Sequence, residues 1–152
     1  MEPLFIIPAR GGSKGLPGKN TMLLKGKPLI HYSIETALAL TRVNNICVTT
    51  DDAEIRKVAE QKGINVPFLR PPQLASDEAS MQDVLLHAIG YYESLGVYYD
   101  QVVLLQPTSP LREAADVIRA LSLYHADVDM VMSVFETRAN PYYDKVGLSR
   151  TP

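Results

Sequence analysis

Residues 4–20 read Leu4-Phe5-Ile6-Ile7-Pro8-Ala9-Arg10-Gly11-Gly12-Ser13-Lys14-Gly15-Leu16-Pro17-Gly18-Lys19-Asn20. The opening run, Leu4 to Ile7, is continuously apolar, the pattern of a strand buried on both faces of a parallel sheet. A polar loop follows from Arg10 to Asn20, with four glycines and the three cations Arg10, Lys14 and Lys19. Glycines such as Gly11 and Gly12 let backbone N–H groups come close to a phosphate. Ser13 and Asn20 add neutral hydrogen-bonding groups. Ligands of open parallel sheets bind beyond the carboxyl ends of the strands, which is where this loop lies. It is not a Walker A loop, because Ser13 stands where that pattern needs its first glycine and Asn20 where it needs Ser or Thr; nor does Gly-x-Gly-x-x-Gly occur. A solvated surface loop is the competing reading. Three cations among four glycines directly behind a buried strand favour an anion site.

Outward from this stretch, short apolar runs alternate with helical patterns. Ile30, Ile34, Ala37 and Leu38 fall on one helix face, with Pro28 suited to the first turn. Asn45–Thr50 reads as a second strand. Asp51 follows as a candidate N-cap with Glu54 three residues on, a capping box. Val66–Leu69 is a third strand, short or at an edge because of Pro67. Met81, Val84, Leu85, Ala88, Ile89 and Tyr92 mark the clearest helix, with Asp77 a candidate cap for a start near Ala79. Gln101–Leu105 is a fourth strand; Ser109-Pro110 reads as the N-cap and first residue of a further helix. Asp129–Phe135 is a fifth strand. This alternation predicts parallel pairing through right-handed crossovers.

The chain has 152 residues, 46% hydrophobic and 21% charged, the composition of a globular domain. Fifteen Lys and Arg face seventeen Asp and Glu, a net charge of −2, so no basic excess points to nucleic acid. The single cysteine, Cys47, forms no intrachain disulfide and reads as a small core residue. No apolar run reaches the ~18 residues of a membrane span, and the N-terminus lacks the order of a signal peptide; the expectation is a cytoplasmic protein without membrane or nucleic-acid partners. His31, His87 and His125 lie in helical patterns, too dispersed for a metal cluster.

Ile7 to Asn20 resembles the signature loop of the CMP-N-acetylneuraminic acid synthetases (acylneuraminate cytidylyltransferases). Thr49-Thr50-Asp51-Asp52, Val66-Pro67-Phe68-Leu69-Arg70-Pro71, Leu74-Ala75-Ser76-Asp77 and Gln106-Pro107-Thr108-Ser109-Pro110-Leu111-Arg112 match in the same order. The resemblance covers about residues 4–143. Synthetases for the sugar Kdo share the general loop, but not its Lys19-Asn20 ending or Gln106 to Ser109. The resemblance implies a three-layer, Rossmann-like nucleotidyltransferase fold with a mainly parallel sheet. It implies that Arg10, Ser13, Lys14 and Lys19 hold the triphosphate of CTP and that Asn20 also contacts the nucleotide, beside the nucleotide-binding glycines Gly11 and Gly12. Arg70 then lies beside the cytosine, Ala79 and Ser80 read its edge, and Gln106 points toward the sugar. Met81 departs from relatives, which often have a second serine there. The implied reaction is attack by the anomeric hydroxyl of a sialic-acid-type sugar on the α-phosphorus of CTP, with Arg10 and Lys19 stabilising the growing charge and Mg²⁺ sharing that load.

Relatives of this family continue past the point where this sequence stops, supplying an aspartate pair for magnesium and an extension that forms a dimer. No Asp-x-Asp follows Phe135, so metal ligands are unassigned. The expectation is therefore one nucleotide-binding domain over residues 1–152 that lacks its C-terminal part, with a homodimer formed by the complete protein. Two other readings stand beside it: a domain that holds CTP without turnover, and a nucleotidyltransferase for another sugar such as Kdo or a sugar phosphate.

Overall fold

A computed structural model describes residues 2–13 and 15–134. The chain divides into two compact units, residues 1–114 and 115–152. In the first, strand β1 (Leu4–Pro8) is followed by a two-strand ribbon, β2 (Leu23–Leu24) and β3 (Lys27–Pro28), then helix α1 (Leu29–Leu38), strand β4 (Ile46–Thr49), helix α2 (Ala53–Glu60), helix α3 (Met81–Ser94) and strand β5 (Val102–Leu104). The main sheet has the order β4-β1-β5, all parallel, with Ile6 paired to Cys47 on one side and Leu104 on the other. The strand expected over Val66–Leu69 is reduced to one parallel bridge, Thr50 to Leu69, outside β4. Pro67 removes a donor from the ladder and limits pairing there.

Burial follows the sequence pattern. Leu4, Phe5, Ile6 and Ile7 are all buried, as are Ile46, Cys47 and Val48 of β4. Alternate side chains leave the sheet in opposite directions. Leu4, Ile6 and Cys47 pack with Ala88, Leu85, Ile89 and Tyr92 of α3. Ile30, Ile34 and Ala37 of α1 are buried, and α1 touches β1, β4 and α2. Helices therefore cover both faces, giving the expected three layers. Each fully buried aliphatic or aromatic side chain contributes about 1.5–3 kcal/mol. Burial pushes the Cys47 thiol up to about 12.

The chain runs outward from β1 through β4 to the Leu69 bridge, then returns by α3 to β5 on the other side of β1. Strand order thus reverses between β1 and β5. That reversal is the switch point at which open α/β sheets bind ligands.

Several boundaries differ from the sequence reading. Pro28 does not open α1; it ends β3 and occupies the N-cap position with φ −52° and ψ 137°. The β2–β3 ribbon was not expected. Lys25 (φ 50°) and Gly26 (φ 79°) both adopt positive φ, the type I′ geometry that joins two strands by two residues. Helix α2 is capped by Asp52, not Asp51: Asp52 Oδ1 accepts from Glu54 N at 2.7 Å and Ile55 N at 3.1 Å. Ser80, not Asp77, caps α3, accepting from Asp83 N at 3.0 Å.

Ser109-Pro110 forms a turn, with Ser109 N donating to Gln106 O at 3.2 Å. Helix α4 (Ala114–Leu123) starts later, across the boundary of the second unit. His125 lies just beyond it. The fifth strand is absent from residues 129–134, and Phe135 lies outside the described residues. A strand needs a neighbour for its backbone groups; alternate residues Met130, Met132 and Val134 are 67%, 62% and 83% exposed, and no strand among the described residues pairs with residues 129–134. No helix among the described residues is long and apolar enough to cross a membrane.

Glu35 of α1 ties three elements. Its Oε2 accepts from Lys27 Nζ of β3, and its Oε1 from Lys62 Nζ, just past α2, at 2.6 Å. These bonds, Lys27 first, hold its carboxyl below the usual 4.5. Its folded pKa is lowered, so its stabilisation is fully present above 4.5 and is lost as pH falls through the folded value. At 37% exposure the pair is screened, and Glu35→Gln should cost only about 0.5 kcal/mol at pH 7. Urea unfolding should show that difference at pH 7 and none once acid has protonated the folded carboxyl.

Candidate active site at the carboxyl end of the central strand

The loop leaves β1 at the switch point, and its base is held from β4. Ala9 N donates to Thr49 O at 3.0 Å, continuing the β1–β4 ladder. Gly11 N donates to Asp51 Oδ1 at 3.0 Å. Gly11 has no room for a side chain: a Cβ there would stand 2.5 Å from Asp52 Oδ2 and 2.9 Å from Asp52 Cβ. Ser13 N turns back to Gly11 O at 2.9 Å. Gly12 is exposed with open space around it. Lys14 lies outside the described residues.

The far end of the loop is equally fixed. Gly18, at φ 65°, needs its freedom from a Cβ, and its carbonyl accepts from Thr21 N, Met22 N and Thr21 Oγ1. Lys19, half-buried, donates its backbone N–H to Leu16 O at 3.2 Å. Asn20 is buried, and its Nδ2 donates to Arg10 O at 3.1 Å, closing the loop on itself. Its carbonyl accepts from Ile30 N in α1.

Two arginines flank this loop. Arg10 Nη2 pairs with Asp77 Oδ1 at 2.7 Å, and its Nη1 donates to Ser76 O at 3.2 Å. The loop after β1 is thereby joined to the segment before α3. Arg70 is only 5% exposed. Its Nη2 donates to Thr49 O at 2.6 Å, its Nη1 to Leu74 O at 3.2 Å, and its backbone N–H to Thr50 O at 2.7 Å. Its Nε is buried without a partner. Burial lowers its pKa, Asp51 opposes that shift, and Arg10 adds to it. The two guanidinium groups and Asp51 therefore lie within electrostatic reach of one another.

The other sequence-predicted residues use local bonds. Ala79 N donates to Ser76 Oγ at 3.2 Å, and Ser80 Oγ donates to Asp83 Oδ2 at 2.7 Å while capping α3. Gln106 follows β5, and carrying the register of Ile6 with Leu104 forward by two residues sets it level with Pro8. It is exposed, and its carbonyl accepts from Arg112 Nη2 at 3.3 Å. The arrangement thus collects Arg10, Gly11, Lys19, Asn20 and Gln106 at the carboxyl ends of adjacent strands β1 and β5. Arg70 lies behind the loop as a buried strut. Sequence reading missed Asp51 as the partner of the loop and Asp77 as the partner of Arg10. The paired carboxylates Asp51-Asp52 were the available signal: one residue suffices for a cap, which leaves the other for a different task. Among the described residues no group of three or more His, Cys, Asp or Glu is placed to hold a metal ion.

Comparison with known proteins accords with this geometry. The cytidylyltransferase family model matches residues 4–142. This chain belongs to the cytidylyltransferase family. It is 40% identical over 141 residues to the CMP-N,N'-diacetyllegionaminic acid synthase of Legionella pneumophila, covering 93% of this chain and 61% of that protein. It is 42% identical over 137 residues to the N-acylneuraminate cytidylyltransferase of Escherichia coli O18:K1:H7, covering 90% of this chain and 32% of that protein. Against the pseudaminic acid cytidylyltransferase of Campylobacter jejuni the identity is 45% over 73% of this chain and 48% of that protein. The solved structure of CMP:2-keto-3-deoxy-manno-octonic acid synthetase complexed with CTP superimposes with a TM-score of 0.66 at 28% identity, covering 80% of this chain and 46% of that one. The chain spans between about a third and three fifths of the length of these relatives.

The crowding at Gly11 yields a direct test. Gly11→Ala should push Asp52 off its capping bonds and destabilise the fold by about 1–2 kcal/mol. Gly12→Ala, which meets nothing within 4 Å, should leave the urea midpoint unchanged.

Proposed function

We propose that this cytidylyltransferase chain carries the nucleotide site of an enzyme that transfers CMP from CTP to the anomeric hydroxyl of a nonulosonic acid, a sialic-acid-type sugar, releasing pyrophosphate. The observation that carries the reading is the glycine-rich loop between Arg10 and Asn20, anchored at the point where strand order reverses. The names of three relatives, acting on legionaminic, acylneuraminic and pseudaminic acids, support the sugar class. A structural neighbour solved in complex with CTP supports the nucleotide.

In this reading the sugar hydroxyl gives its proton to solvent as its oxygen bonds to the α-phosphorus, the bond to the bridging oxygen breaks, and its electron pair leaves with pyrophosphate. Such transfer depends on positioning and charge neutralisation more than on covalent help. Arg10, Lys14 and Lys19 meet the phosphates, with the amide of Gly12, between the bonded amides of Gly11 and Ser13, as a neutral donor. The Arg10 side chain exchanges Asp77 for phosphate when the nucleotide binds. Asn20 holds the loop closed through the Arg10 carbonyl. Arg70 backs the cytosine side, and because Ser80 Oγ is spent as a cap, the base edge is read there by the backbone of Ala79 and Ser80. Gln106, level with the start of the loop, faces the sugar. The described residues alone do not fit the magnesium ion that the resemblance implies: Asp51 is bonded to Gly11 N and Asp77 to Arg10.

Pyrophosphate release should be seen with CTP, magnesium and a panel of nonulosonic acids, and not with UTP or GTP. Kdo should be a poor acceptor. Arg10→Ala and Lys19→Ala should each lower kcat/KM by about 10²-fold, the scale of a lost phosphate-stabilising donor. Silence across the whole panel, from protein expressed from its complete reading frame, would reject the reading.

A further inference from the structure

Asp51 has the sequence position of a helix cap, and the structure frees it from that task. Asp52 makes the capping bonds, while Asp51 Oδ1 takes the N–H of Gly11, the second residue of the loop. A carboxylate is an unexpected occupant of a loop read as anion-binding. It repels a triphosphate unless its charge is already used. Arg70 supplies that use. Its guanidinium is almost wholly buried and donates to two carbonyls, and its backbone N–H donates to the carbonyl of Thr50, the residue next to Asp51, so the buried cation and the carboxylate are anchored at one turn; burial lowers its pKa and Asp51 opposes that shift. Buried charges require such compensation.

We propose that Asp51 is the positioning residue of the site, a single carboxylate that fixes the entry of the phosphate loop through Gly11 N–H and balances the buried Arg70 behind it. This rests on the nucleotide reading above and adds to it. One group then sets both the phosphate end, through Gly11, and the base end, through Arg70 and the Leu74 carbonyl it holds. Asp51 itself does not touch the reacting atoms.

The test uses the protein from its full reading frame, with CTP affinity by calorimetry and steady-state kinetics side by side. Asp51→Ala removes both bond and charge and should weaken CTP binding about tenfold, through KM more than kcat. Asp51→Asn is nearly isosteric, keeps an acceptor for Gly11 N–H and should weaken binding about threefold. Asp52→Ala supplies the stability control: it loses the α2 cap and should lower the melting temperature without moving CTP affinity. The Gly11 amide proton should shift upfield and exchange faster in Asp51→Ala than in Asp51→Asn. Wild-type CTP affinity in both Asp51 variants overturns the proposal, and so does a loss matched by Asp52→Ala. Failure of the unaltered protein to bind CTP instead overturns the nucleotide reading itself. Should Asp51→Ala not fold, Asp51→Asn alone decides: affinity within error of wild type counts against the proposal, and a threefold loss with an unchanged melting temperature supports it.

Discussion

The parallel pairing of β1 with β4 on one side and β5 on the other is the constraint from which the rest follows. A strand with neighbours on both edges and helices on both faces must be apolar throughout, and Leu4 to Ile7 are fully buried. Parallel pairing also brings the carboxyl ends of all three strands to one rim. At that rim stand the loop after β1, the Thr49–Asp52 turn after β4 and Gln106 after β5. Backbone carbonyls at and just past the end of β4 lie beyond the regular ladder, and here Arg70 meets them with both its side chain and its backbone N–H. Thr49 O takes Ala9 N and Arg70 Nη2, and Thr50 O takes Arg70 N. The rim is thus stitched together by the same need for hydrogen-bond satisfaction that builds the sheet.

Much of this was legible in the sequence because the signals were local and repeated. The continuous apolar run of β1 and the periodic face of α3 each have one physical interpretation, and both occur as expected. So does the placement of the loop at the carboxyl ends of the strands. What escaped reading depended on choices between adjacent or distant equivalents. Asp51 and Asp52 are chemically identical candidates for one cap, and only the path of the Gly11 backbone decides which one is free. Asp77 is a reasonable cap by position, but Ser80 lies nearer the helix start and Arg10 competes for the carboxylate from far back in the chain. The Lys25-Gly26 turn was visible in principle; two-residue strands are too short to show alternation.

Arg70 illustrates a different gap. A guanidinium beside two prolines in a loop-like stretch fits a solvated charge and a site residue equally, and family resemblance places its counterpart near the base. Its burial accompanies the Leu69 bridge to Thr50, which sets the segment beside the end of β4 and lets the side chain reach the Thr49 carbonyl. No local property of Arg70-Pro71-Pro72 announces that. The charge is tolerated because the carbonyls of Thr49 and Leu74 accept its hydrogen bonds, an arrangement that only the fold assembles.

Cys47 lies at the middle of β4, paired with Ile6 and sealed beneath α3. Its thiol, pushed up to about 12 and shielded from solvent, is unreactive toward alkylating reagents while the sheet is closed, since only the thiolate attacks. As the sole sulfhydryl in the sequence, it makes the rate of its own labelling a direct readout of how often the heart of the molecule opens.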